Sequence, residues 1–154
     1  MPHLYRNTDE GLFASLSGGQ TVIDWLGYCP TFHDAELERL EIAGGNAALT
    51  LRTFRMTNQL GPQGYFALDR HSLVTMRMSG VSGIKLTGNA SSIISALRIR
   101  RLDADEAASN WETCESPVSG DIEVTFDTSI GLYGSIYARE VAFELQPLAV
   151  DQAT

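Results

Sequence analysis

The chain has 154 residues, of which 44% are hydrophobic and 19% charged, and a formal net charge of −8. Such a length and composition fit one globular domain with a sizeable core and exclude a disordered chain, while the shortage of Lys and Arg argues against nucleic acid as a partner. No stretch approaches the ~20 apolar residues of a membrane-spanning helix. The opening MPHLYRNTDEGLF lacks the basic and apolar regions of a secretory leader, so a cytoplasmic protein without membrane contact is expected.

Residues 1–19 end in Ser17-Gly18-Gly19 and hold no sustained period. They read as an N-terminal arm, loosely docked or forming a short strand, ahead of a single β-rich domain over residues 20–154. Gln20 to Gly27 predicts a short helix: Val22, Ile23, Trp25 and Leu26 make an apolar face, Gly27 supplies the stop, and Pro30 confirms the break.

From Glu38 the period changes to two, as in a strand with one buried face. Leu40 and Ile42 alternate with Arg39 and Glu41, and Gly44-Gly45-Asn46 supplies the positive-φ residues of a hairpin turn before Leu49 to Thr53 returns. A turn-rich passage, Asn58 to Gly64, leads to Tyr65-Phe66-Ala67-Leu68 and a strand from Leu73 to Met78. Gly80 and Gly83 predict a further turn, after which Ile84 and Leu86 pair back. Ser91 to Ala96 predicts a helical turn, Leu97 to Leu102 a strand, Ile122 to Phe126 another, and Ser135 to Leu145 a last one ending at Pro147. Seven to nine short strands without long crossover helices predict a mainly β fold, or an α+β one. The expected architecture is an antiparallel β-sandwich or strongly curved sheet with one or two short helices.

Charge is distributed unevenly. Residues 39–101 hold nine of the eleven basic residues against Glu41 and Asp69, whereas residues 102–138 have no Lys or Arg but carry Asp103, Asp105, Glu106, Glu112, Glu115, Asp121, Glu123 and Asp127. Two outcomes are open: an acidic face that steers a basic partner, or cross-strand pairing of Arg with Glu and Asp that cancels the field.

Few residues suggest chemistry. His33 and Asp34 lie together between Pro30 and the first strand, and with Asp69 and His71 they make a conceivable metal site, although their spacing does not demand one. The simpler reading is that His33 and Asp34 satisfy backbone groups where a loop enters a strand. Cys29 and Cys114 lack metal or redox spacing, and there is no GxSxG elbow or P-loop. No catalytic residue, cofactor or metal is therefore assigned, and no enzyme activity is expected.

The string Trp25-Leu26-Gly27-Tyr28-Cys29-Pro30-Thr31-Phe32-His33-Asp34-Ala35-Glu36 resembles the start of the immunity protein 50 family, with Thr31 in place of the usual Ser. The similarity continues through Leu49 to Phe54, Gly64-Tyr65, His71 with Leu73 and Val74, and the closing strand to Pro147. This resemblance implies a bacterial protein that binds and neutralises a toxin delivered between cells. Trp25, Phe32, His33, Asp34 and Glu36 carry it, and it brings no catalytic residue. Asp103, Asp105, Glu106, Glu112 and Glu115 are the candidates for contact with such a partner. The alternatives are a module that binds a small molecule or peptide on a concave sheet face, and a metal-dependent enzyme centred on His33 and Asp34.

Overall fold

A computed structural model describes residues 7–105 and 117–149, and these form a mainly β fold. Two short helices, α1 (Glu10–Ser15) and α2 (Gly19–Leu26), precede four strands: β1 (Glu36–Ala43), β2 (Asn46–Leu60), β3 (Phe66–Arg101) and β4 (Ile122–Pro147). The strands make one antiparallel sheet in the order β1-β2-β3-β4. It is so strongly curved that β1 also meets β3, with Glu36 opposite Ile93. Just ahead of β1, Asp34 N–H donates to Ile94 O at 2.8 Å, Ile94 N–H to Ala35 O at 2.8 Å and Leu97 N–H to Thr31 O at 2.8 Å. Curvature brings the far end of the long β3–β4 ribbon back to the first strand.

The β1–β2 hairpin turns at Gly44 and Gly45, with φ of 59° and 78° and Ala43 opposite Asn46. Two consecutive positive φ values are what a two-residue turn between right-twisted strands requires. Residues 66–68 and 73–78 are not two strands but parts of one, and residues 84–86 pair with β4 rather than back on their predecessors, Ile84 lying opposite Ile136. Residues 91–96, expected as a helical turn, are also strand. Four long strands thus replace the seven to nine short ones, in a single sheet rather than a sandwich.

Glycine is the reason. Gly131 has φ 101°, and a Cβ there would lie 1.4 Å from Ser91 O; at Gly134, φ 143°, it would lie 1.9 Å from Lys85 O. These bare positions let the ribbon kink and the two backbones press together while pairing continues on both sides of the bulge.

One core gathers side chains from the sheet and both helices. Leu49, Leu51, Val74, Met76 and Met78 are buried on one face of the sheet, and Leu97, Ile99, Val124, Phe126, Ile136 and Ala138 of the ribbon join the same cluster. Val22 and Leu26 of α2 and Leu12 and Phe13 of α1 pack there too, with Phe13 stacked on Phe143 at 4.3 Å between centroids. The predicted helix over 20–27 is present one residue earlier, closed by Gly27 in the left-handed conformation. The N-terminal stretch differs from expectation: α1 takes the place of a loose arm or short strand. Asp9 accepts from Leu12 N–H as N-cap, and fully buried Phe13 anchors the helix.

Candidate functional site

Beyond Arg52 and Ser72 the sheet narrows. β1 last pairs with β2 at Arg52, and β4 last pairs with β3 at Ser72, so the rest of the β2–β3 hairpin projects as a two-stranded ribbon. A lone hairpin is marginal in water and needs bracing. Here the brace sits at the base: Trp25 Nε1–H donates to Arg70 O at 3.1 Å, and the Arg70 guanidinium lies 4.7 Å from the Trp25 ring centroid. Arg55, opposite Asp69, clasps it through both carboxylate oxygens at 2.8 and 2.6 Å. That guanidinium hydrogen bond holds the Asp69 carboxyl below its ordinary pKa, while burial pushes nearby Tyr28 up.

The opposite face of this hairpin is apolar and open. Met56 lies opposite Leu68 and Leu60 opposite Phe66. Since Phe66 and Leu68 are two apart, both pairs share one face, the one turned away from the Arg55–Asp69 pair. All four side chains are exposed, Leu60 at 66%, and Tyr65 beside them in the turn reaches 77%. Gly61, Pro62, Tyr65 and Phe66 line a shallow hollow of about 300 Å³ at the tip. From Met56 to Leu68 there is no charged residue at all. Single exposed apolar residues are normal, but five large ones gathered on one projecting, uncharged element are unusual.

Charge elsewhere is largely paired. Arg52 bonds Glu38 at 2.6 Å, Arg77 bonds Glu144 at 2.6 Å, Arg98 bonds Asp127 at 2.9 Å, Arg100 bonds Glu123 at 3.0 Å, and Arg39 pairs with Glu41. Of these pairs, Arg98–Asp127 and Arg100–Glu123 join the basic stretch to the acidic one between β3 and β4, whereas the other arginines take carboxylates from outside residues 102–138. Asp121 is buried too, accepting from Ser82 Oγ at 2.7 Å and Val118 N–H at 3.1 Å. The Arg100–Glu123 pair has each side chain only 9% exposed, and burial with the nearby Glu123 carboxylate pushes Tyr137 up to about 12. Arg98 and Arg100 are thus partly or wholly interior.

Of the acidic candidates, Asp103 and Asp105 are exposed just past β3, while Glu106, Glu112 and Glu115 lie outside the described residues. Asp9, whose N–H donates to Ile99 O at 2.9 Å, brings Glu10 to the same end of β3.

Several residues of the Trp25–Glu36 string make contacts that hold the fold together. Phe32 is buried with φ 58°, and Asp34 has φ 65°. His33 Nδ1–H donates to Ser95 O at 2.9 Å, its Nε2 lies 3.5 Å from Asp34 Oδ2, and Glu36 opens β1 opposite Arg52. These bonds stitch the segment to β3. Among the described residues no three His, Cys, Asp or Glu side chains converge, so His33 and Asp34 are not joined by Asp69 and His71 into a metal-binding set. Among those residues, too, no helix is long and apolar enough to cross a membrane. No protein-family model, curated protein or solved structure matches the chain.

Proposed function

We propose that this chain is a cytoplasmic neutralising protein that binds a basic bacterial toxin through the open face of the β2–β3 hairpin. The observation that carries the reading is the uncharged apolar face of Met56, Leu60, Phe66 and Leu68 on an element that no third strand covers. Binding energy concentrates in a few desolvated aromatic and aliphatic anchors. Tyr65 and Phe66 supply such anchors at the tip.

Charge chooses the partner. Six arginines are neutralised internally, so the net charge of −8 rests on carboxylates outside those pairs, Glu10 and Asp105 among them. A field of that sign accelerates encounter with a basic protein and repels acidic ones. The resemblance of residues 25–36 to the immunity protein 50 family supports the same class of partner.

The test is co-expression with the products of the neighbouring genes, scoring rescue of growth from any that is toxic and recovery of a complex from the lysate. Rescue accompanied by a stoichiometric complex is expected, with both lost in the Leu60→Asp/Phe66→Asp variant. Rescue without a complex, or a complex indifferent to those substitutions, contradicts the proposal.

A further inference from the structure

Arg77, Arg101 and Arg139 come from three separated positions on the β3–β4 ribbon, and the curl of the sheet brings all three to the walls of one open cleft of about 430 Å³. Glu140 is the single carboxylate among its lining residues. In a chain of net charge −8 this is a local reversal of sign.

Among the described residues the guanidiniums of Arg77 and Arg101 keep donors to spare. Arg77 Nε–H donates to Glu144 at 2.6 Å and Arg101 Nη1–H to Gly120 O at 3.0 Å, each using part of a five-donor fork. Arg139 has no carboxylate within ion-pair distance among the described residues. Its stem is laid across Gly80, where a Cβ would come 3.2 Å from Arg139 Cδ, so the bare glycine leaves room for the stem. Ser17, from the link between the helices, and Ser79 add hydroxyl donors, while Leu16 and Val141 provide apolar wall. The volume falls in the range of small-molecule sites. Planar arginine forks match the oxygens of a phosphate with paired hydrogen bonds.

We propose that this cleft binds a small organic phosphate, with Arg101 and Arg139 gripping the phosphate group and the apolar wall seating the organic part. The site stands apart from the hairpin face and does not depend on the partner-binding reading.

Isotope-labelled protein is titrated with phenyl phosphate at constant ionic strength, following amide and arginine side-chain resonances, with inorganic phosphate and benzoate in parallel. Saturable shifts are expected at Ser17, Ser79, Arg101 and Arg139, reproduced by inorganic phosphate, with benzoate about tenfold weaker or worse. Arg139→Gln should weaken phenyl phosphate by about tenfold, whereas Arg39→Gln, the same charge change outside the cleft, should leave it unaltered. Shifts that never saturate, equal loss in both variants, or benzoate bound as tightly as phenyl phosphate would overturn the assignment. The wild-type comparison of the three anions decides the matter even if a variant is unstable.

Discussion

Met56 and Leu68 face each other across a hairpin that has lost both its neighbouring strands, and each stands in solvent on the side away from the Arg55–Asp69 clasp. A folded chain gains almost nothing from such a pair by itself. Substituting Phe66 with Ser on this face should therefore change unfolding free energy by no more than about 0.5 kcal/mol. Phe126→Ala, in the buried ribbon, should cost about 3–5 kcal/mol. Denaturant unfolding of the two variants checks the contrast.

The ion pairs should separate in the same way. Glu123→Ala removes the buried carboxylate that Arg100 pairs with and should cost about 3–5 kcal/mol. Glu144→Ala removes an exposed partner of Arg77 and should leave the unfolding midpoint unchanged within error. Equal effects would mean that the two pairs share one environment.

Glycine substitutions probe the kinked ribbon. Gly131→Ala sets a methyl group against Ser91 O in a left-handed backbone and should prevent the native crossing, seen as a large drop in thermal midpoint or loss of soluble protein. Gly44→Ala meets open space and should cost only about 1 kcal/mol for its positive φ.

That contrast also explains what the sequence disclosed. Gly44-Gly45-Asn46 and the period-two residues around it identify the first hairpin because a short turn and its strands are both local. Gly80, Gly83, Gly131 and Gly134 carry the same local signal, yet they bend strands that continue; whether a glycine ends a strand or kinks it depends on a partner far along the chain. Helix α1 escaped because six residues offer fewer than two turns of period, although Asp9 ahead of Glu10 was a usable N-cap cue. The hairpin face was also visible in principle: residues 56–68 combine five large apolar side chains with no charge, a pattern that reads as a turn-rich passage until the absence of covering strands is known.

Cys29 should be a poor nucleophile. Burial, helped by Glu10, pushes its thiol from 9.0 up to about 11, so near neutrality its thiolate fraction should be about a hundredfold below that of an ordinary cysteine. In a Cys114→Ser background, alkylation rates against pH should show a midpoint near 11, where a midpoint near 9 would refute the burial effect. The sign for stability follows: with the folded value raised, this group's contribution is full below pH 9 and is lost as pH rises towards about 11.

Rim charge should act on encounter rather than on lifetime. Asp103→Asn together with Asp105→Asn should slow association with a basic partner by roughly threefold at low ionic strength, and the difference should vanish in high salt. Stopped-flow association rates measure this; a salt-independent change would place those carboxylates in direct contact instead.

Amide hydrogen exchange of the chain alone and in its toxin complex reaches the central claim most directly. Residues 56–68 should exchange readily in the free protein and become strongly protected on binding, with little change in the already protected core strands. If protection appears elsewhere while this hairpin exchanges as before, its apolar face is not where the partner sits.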